Sequence, residues 1–97
     1  MHVILWKKQA INDLTRIAKT IAEDSPITAD KMLDRIEAQV TPLAAHPEMG
    51  RTGRKRGTRE LVAHESYVVI YRVLSAMVEV LRAKHSAQQC PPTRTSS

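Results

Sequence analysis

Several residue types are scarce in this chain of 97 residues, and each scarcity excludes something. Cys90 is the single cysteine, so no disulfide can form within the chain, which favours a reducing, cytoplasmic setting. The apolar stretch from Met1 to Trp6 is too short for a signal peptide, and no run approaches the length of a membrane span. Phenylalanine is absent and the aromatic residues are Trp6, Tyr67 and Tyr71, so we expect an aliphatic core.

Positive charge, by contrast, is plentiful. The net charge is +5 and the isoelectric point is near 9.8. The length is that of one domain, and the 42% of hydrophobic residues and 26% of charged residues are ordinary for a globular protein. The charge favours an acidic partner, which could be nucleic acid, an anionic protein segment or an acidic membrane surface. Charge alone does not choose among them.

The first half of the chain has the patterns of one strand and two helices. The run HVILW at residues 2–6 is β-prone. A first helix is indicated by apolar residues at three- and four-residue spacings: Ala10, Leu14, Ile17, Ala18 and Ile21. Ser25 and Pro26 suit the cap and first turn of a second helix, which extends towards Leu43 and is weakened by Pro42. We expect the carboxylates of this half to face solvent: Asp13, Asp24, Asp30, Asp34 and Glu37.

The period becomes extended after residue 57. Three strands are predicted, over Thr58–His64, Tyr67–Val73 and Met77–Ala83. The order β-α-α-β-β-β predicts an α+β fold in which a helical hairpin packs on a small antiparallel sheet. The predicted core residues are Trp6, Leu14, Ile17, Leu33, Ile36, Val69, Tyr71, Val78 and Val80. We expect residues 1–87 to form a single domain and residues 88–97 to form a flexible tail.

A basic loop is the first candidate binding segment. Its cations fall within nine residues and no acid follows them before Glu60: Arg51, Arg54, Lys55, Arg56 and Arg59. Such a segment is either a solvated, flexible surface loop or a patch that binds phosphates or the carboxylates of a partner. Aromatic residues are not interleaved with the cations, which disfavours recognition of single-stranded RNA by base stacking.

Arg82 and His85 are the second candidate pair, because Arg82 lies near the end of the last predicted strand and His85 just beyond it. A histidine can act as a general acid or base, and an arginine can stabilise developing negative charge. A surface histidine without a catalytic role is the commoner alternative. The sequence has no Gly-rich phosphate loop, metal-ligand spacing or nucleophile elbow, so its motifs predict no metal site and no cofactor.

Two segments resemble the RelE/ParE superfamily of toxins from type II toxin–antitoxin modules: GRKRGTRELVAHESYVVIYRV and VEVLRAKHSAQQCP. The resemblance covers nearly the whole chain. HVILW, DLTRIAKTIA, the SP before the second helix and HPEMGRTGR are similar to the ParE-like branch, formerly called plasmid stabilisation proteins.

The resemblance implies a small cytoplasmic toxin that inhibits growth and is neutralised by a cognate antitoxin. Antitoxins of this kind carry a DNA-binding amino-terminal part and a carboxy-terminal segment that wraps the toxin. An acidic segment would suit this basic chain, and it could add a helix to the helical hairpin or a strand to a sheet edge. Operator DNA would then be a partner of the complex only, and no membrane partner is implied.

The superfamily divides into two toxin mechanisms. RelE-like toxins are ribosome-dependent mRNA endoribonucleases, and ParE-like toxins inhibit DNA gyrase. RelE-like sequences often place an arginine after the tyrosine of the penultimate strand, whereas Val68 follows Tyr67 here, and a further expected basic position falls on Leu61. The incomplete set favours gyrase inhibition, a mechanism without catalytic residues in this chain.

On the gyrase hypothesis, the partner-binding residues are Arg51, Arg54, Lys55, Arg56, Arg59, Arg82 and His85. If the chain is instead a ribonuclease acting on mRNA at the ribosome, Arg59, Arg82 and His85 are the candidate catalytic residues. A toxin that has lost activity and only pairs with its antitoxin is the third hypothesis.

Overall fold

The computed structural model describes residues 1–64 and 66–86, so the predicted tail at 88–97 lies outside the described residues. The order of elements is the predicted one, with a very short additional strand inside the basic loop. The elements are β1 (Val3–Trp6), α1 (Lys8–Ala22), α2 (Pro26–Val40), β2 (Arg51–Thr52), β3 (Arg59–His64), β4 (Tyr67–Leu74) and β5 (Met77–His85). His85 is therefore the last residue of β5, whereas the sequence analysis had placed it just beyond that strand.

Local signals set the limits of α2. The Ser25 hydroxyl accepts a hydrogen bond from the Thr28 N–H at 3.3 Å, and Pro26 occupies the first helical position. At the other end Pro42 has no N–H to donate, and the chain continues as a 3₁₀ turn over Thr41–Ala44. The helix therefore ends at Val40, three residues before the end of the apolar series that predicted it.

The strand order is β1-β5-β4-β3-β2. The predicted helical hairpin on a small sheet is confirmed, but the sheet is mixed, because β1 runs parallel to β5 while the other neighbours are antiparallel. Parallel neighbours need a long crossover connection, and the helical hairpin provides it. β5 thus lies inside the sheet, with β1 on one side and β4 on the other.

The core lies between the helical hairpin and one face of the sheet. Its buried residues are Ala10, Ile36, Val40, Leu43, Leu61, Ala63, Val69, Tyr71, Val78 and Val80, with Trp6 and Leu14 among the half-buried residues against them. Ile17 and Leu33, also predicted as core, are half-buried. Since side chains alternate along a strand, Glu60, Ile70 and Lys84 lie on the opposite face of the sheet. Within the described ranges, no helix has the length and apolar character needed to cross a membrane.

Candidate functional site

The part of the basic loop between β2 and β3 is a hydrogen-bonded turn. The Gly53 N–H donates to the Thr58 carbonyl at 2.8 Å, and the Thr58 N–H donates to the Lys55 carbonyl at 3.1 Å. The Thr58 hydroxyl donates to the same Lys55 carbonyl at 2.6 Å. Gly57 has a φ of +83°, which a residue with a side chain rarely adopts. These bonds give the loop a defined shape that presents the side chains of Arg54, Lys55 and Arg56 to solvent.

A buried carboxylate anchors the loop to the sheet. Glu60 on β3 is 5% exposed. Its Oε1 accepts a hydrogen bond from Arg51 Nη2 at 3.2 Å, and its Oε2 accepts one from the backbone N–H of Arg54 at 3.3 Å. One acid therefore binds both the first strand of the loop and its turn, and Arg51 is partly neutralised by an ion pair.

The entrance to the loop is held by Arg59 and Tyr71. Arg59 Nη1 donates to the Gly50 carbonyl at 2.7 Å and to the Glu48 carbonyl at 3.4 Å. The Tyr71 hydroxyl donates to the Pro47 carbonyl at 2.6 Å and accepts from the Gly50 N–H at 2.9 Å. Burial raises the pKa of the Tyr71 hydroxyl, although the Gly50 hydrogen bond and the Arg59 charge act in the opposite direction. Arg59 thus has a structural role at the base of the loop.

The loop and the sheet together form a cleft of about 450 Å³, called the cationic cleft below. Arg54 and Lys55 line it from the loop, and Arg82 and Lys84 line it from β5. The other lining residues are Gln9, Thr58, Glu60, Ile70 and Leu81. Its cations outnumber its acids, so the cleft carries net positive charge and is suited to an anionic group of a partner.

Arg82 reaches from the cationic cleft to a buried acid on α1. Arg82 Nε donates to Asp13 Oδ2 at 2.7 Å and Arg82 Nη2 donates to Asp13 Oδ1 at 3.2 Å. The backbone N–H of Ala83 donates to Asp13 Oδ2 at 3.0 Å, and Arg16 Nη1 lies 3.4 Å from Asp13 Oδ1. Asp13 is 2% exposed, so the expectation that it faces solvent is wrong.

The ionisation of this pair follows from its contacts. Burial raises the pKa of the Asp13 carboxyl, but the hydrogen bonds from Arg82 and the Ala83 N–H, with the charges of Arg82 and Arg16, outweigh it. The pKa of Asp13 is therefore lowered, and the hydrogen bond to Asp13 raises the pKa of Arg82. Asp13 is ionised at neutral pH and joins the first helix to the last strand.

His85 lies at the far end of the sheet from the base of the loop. It pairs across strands with Tyr67, and the two rings meet edge to face with centroids 5.3 Å apart. Arg59 pairs with Tyr71, four residues further along β4, which is roughly 13 Å away. Arg82 pairs with Ile70, and Ile70 and Tyr67 point to opposite faces of the sheet. The structure does not bring Arg59, Arg82 and His85 together.

Of the cations that line the cleft, sequence reasoning named Arg54, Lys55 and Arg82 as candidates, but it missed Lys84 and the acids that position the site. Glu60 was visible as the first acid after the loop, and its alternation with Leu61 was a signal for its place on β3. Asp13 had no local signal, because its partner Arg82 is 69 residues away. Among the described residues, no cluster of three or more His, Cys, Asp and Glu side chains could hold a metal ion.

Comparison with known proteins agrees with the fold. Residues 4–90 match the family described as the ParE toxin of the type II toxin–antitoxin system parDE. Y4kP of Sinorhizobium fredii is 40% identical over 91% of this chain and 92% of its own length. Toxin RelE2 of Caulobacter vibrioides is 35% identical over 91% of this chain and 99% of its own length. The chain belongs to the ParE toxin family of type II toxin–antitoxin systems.

Solved structures show the same architecture. A chain of the chromosomal ParDE toxin–antitoxin system from P. aeruginosa superposes with a TM-score of 0.78 and 27% identity, covering 88% of this chain and 96% of that one. A chain of the E. coli DinJ-YafQ complex superposes with a TM-score of 0.63 and 13% identity, over 94% of this chain and 100% of that one. At that identity the second likeness concerns the fold alone.

Proposed function

We propose that this toxin arrests growth by binding DNA gyrase and inhibiting it, and that a cognate antitoxin neutralises it. The observation that carries the choice of mechanism is the separation of Arg59, Arg82 and His85. RNA cleavage through the 2′-hydroxyl needs a base, a cation and an acid gathered at one phosphate. Here Arg59 donates to main-chain carbonyls and Arg82 is bound to Asp13, so neither is arranged around His85. The arrangement supports a binding protein over a nuclease.

The surface offered to the target is the cationic cleft with the exposed tip of the basic loop. Its shape is fixed by hydrogen bonds to Glu60 and within the turn, so little conformational entropy is lost when a partner binds. Charge complementarity raises the association rate and selects anionic partners. A negatively charged region of gyrase is the contact we infer.

The antitoxin partner is supported by the family and by the similar solved structures, which belong to toxin–antitoxin assemblies. A second surface suits its toxin-binding segment. An apolar groove of about 350 Å³ between the two helices is lined by Trp6, Ile11, Leu14 and Leu33 among others, and Ile11 is 49% exposed. An amphipathic helix can bury such a groove. The operator DNA is bound by the complex through the antitoxin.

A gyrase supercoiling assay on relaxed plasmid with ATP tests the proposal. Purified toxin should inhibit supercoiling or trap cleaved DNA, and the co-encoded antitoxin should reverse the effect. The double variant Arg54→Gln, Lys55→Gln should inhibit about tenfold more weakly, because two cations of the cleft are lost. The matched control Lys31→Gln, Arg35→Gln removes two exposed cations from α2 and should inhibit like the unmodified toxin.

Growth arrest without any effect on supercoiling would contradict the gyrase mechanism. The alternative is a ribosome-dependent mRNA endoribonuclease, and it predicts translation-dependent cuts in mRNA that a His85→Ala variant no longer makes. Absence of a growth defect on induction without antitoxin would instead identify an inactive toxin that only pairs with its antitoxin.

A further inference from the structure

A second polar pocket lies at the end of the sheet, on the same side as the helices. It has a volume of about 260 Å³ and is lined by Arg16, Ile17, Thr20, Tyr67, Ala83 and His85. Three elements contribute to it: α1 provides Arg16 and Thr20, which are four residues apart and so share a helix face. Tyr67 of β4 and His85 of β5 are cross-strand neighbours. This end pocket is distinct from the cationic cleft, whose lining residues it does not share.

The polar groups of the end pocket can all donate hydrogen bonds. They are a guanidinium, an imidazole, a phenol and an aliphatic hydroxyl, and no carboxylate is among the lining residues that the structure describes. Arg16 has one contact to Asp13 at 3.4 Å, which engages a single one of its five N–H donors. Asp13 itself is buried and bound by Arg82 and the Ala83 N–H, so it does not fill the pocket.

The walls of the end pocket are partly apolar. Ile17 is half-buried and Ala83 is buried, so the polar groups surround a surface that suits a short hydrocarbon stem. A glutamate or aspartate side chain combines such a stem with a planar carboxylate that a guanidinium binds through two parallel hydrogen bonds. A nucleic acid backbone, by contrast, presents a row of phosphates, which the wider cationic cleft matches better.

We propose that the end pocket binds a carboxylate side chain of the antitoxin's toxin-binding segment. This proposal rests on the proposed function, because it names a contact of the toxin with its antitoxin. Arg16 forms the ion pair, while Thr20 and Tyr67 donate hydrogen bonds to the same carboxylate. His85 forms the wall opposite Arg16. A charge-assisted contact at this site, together with the apolar groove on α1 and α2, fixes the antitoxin segment at two places.

Calorimetric titration of the toxin with its co-encoded antitoxin tests the end pocket. Arg16→Gln removes the cation, and Thr20→Glu places a carboxylate at the mouth of the pocket from an exposed helical position. Each change should weaken the affinity at least about tenfold. Gln39→Glu on α2 is the matched control for the added charge. Lys31→Gln, which removes an exposed cation of α2 outside both the end pocket and the basic loop, is the control for the lost cation, and both α2 controls should bind within about twofold of the unmodified toxin.

Circular dichroism and thermal melting of every variant show whether it is folded, and Thr20→Glu keeps the test valid if Arg16→Gln loses its structure. Unchanged antitoxin affinity of a folded Thr20→Glu variant would overturn the proposal while leaving the proposed function intact. Failure of the unmodified toxin to bind the antitoxin would instead refute the proposed function itself. A single-stranded oligonucleotide serves as a second titrant. If the pocket variants bind the antitoxin normally but bind this oligonucleotide more weakly, the pocket binds nucleic acid and the proposal is overturned.

Discussion

Asp13 illustrates how one side chain connects distant parts of this chain. It accepts hydrogen bonds from Arg82 and from the backbone of Ala83, and it is almost completely buried. A buried carboxylate is stable only when its oxygens are bound to donors. The helix α1 and the end of β5 are therefore held at a fixed distance, and the cationic cleft and the end pocket lie on either side of this contact.

Replacement of Asp13 by asparagine should destabilise the fold by about 3 kcal/mol, because it removes the charge that Arg82 and Arg16 face. Urea unfolding followed by circular dichroism measures the difference. Asp30→Asn is the matched control on the exposed surface of α2, and it should change the free energy of unfolding by less than about 0.5 kcal/mol. Equal stability of the two variants would show that the Asp13 contacts contribute little.

The lowered pKa of Asp13 also predicts an acid limit of stability. The folded-state pKa of Asp13 lies below the ordinary aspartate value of 3.8, so the unfolded chain binds the proton more tightly. The stabilisation is fully present above about pH 4 and is lost as the pH falls through the folded-state pKa. Unfolding free energies between about pH 2 and 6 should fall more steeply for the unmodified chain than for Asp13→Asn. Parallel curves would contradict this assignment.

Tyr71 makes a second prediction at the scale of single residues. Its hydroxyl is bound to the Pro47 carbonyl and the Gly50 N–H, and the side chain is fully buried. Tyr71→Phe leaves both backbone groups without this partner, and we expect a loss of about 2 kcal/mol. Hydrogen exchange should also become faster at the Gly50 amide. The amide of the core residue Ile36 should exchange only as fast as the lowered global stability requires. Unchanged exchange at Gly50 would count against the role of Tyr71 at the loop entrance.

At the scale of elements, β5 is an interior strand that is bonded to a neighbour on each side. Val80 in β5 is fully buried and packs in the core, whereas Val62 in β3 is 53% exposed. Val80→Asp buries an unpaired charge and should cost several kcal/mol, on the order of 4. The same substitution at Val62 should cost less than about 1 kcal/mol. Thermal melting of both variants measures the difference, and similar melting temperatures would refute the assigned facing of β5.

Elements were predictable from the sequence where their signals are local. The spacing from Ala10 to Ile21 indicated α1, and Ser25 with Pro26 indicated the start of α2. The partner of β1 was not predictable. The run HVILW predicts a strand, but it contains no information on which strand it pairs with. Long-range contacts are set by the packing of the whole chain, for which a linear pattern of apolar residues is too coarse.

The candidate site was predictable to a smaller extent for the same reason. The cluster from Arg51 to Arg59 indicated a cationic surface, and Arg82 and Lys84 join it only because β4 places β5 two strands from the loop. Arg59 looked like a binding residue, yet its guanidinium bonds to the Gly50 and Glu48 carbonyls. The position of a charged residue can be read from the sequence, whereas its ion-pair or hydrogen-bond partner depends on which residues the fold places beside it.

At the scale of the whole molecule, the net charge of +5 should raise the rate at which the protein associates with an acidic partner. The association rate with an acidic antitoxin should fall about tenfold or more between about 50 and 500 mM salt, because ions screen the attraction. Stopped-flow fluorescence of Trp6 measures the rate. The variant Arg54→Gln, Lys55→Gln should show a shallower salt dependence, and identical slopes would indicate that the cationic cleft takes no part in the encounter.

The position of β5 inside the sheet determines when, during synthesis, the chain can complete its fold. β5 is the last described strand along the chain, yet β1 and β4 are both bonded to it. A nascent chain that has not yet released β5 from the ribosome cannot assemble the sheet, the Asp13–Arg82 ion pair or either pocket. Pairings of such large sequence separation also form slowly. Both the cationic cleft and the end pocket therefore form only after β5 has left the ribosome.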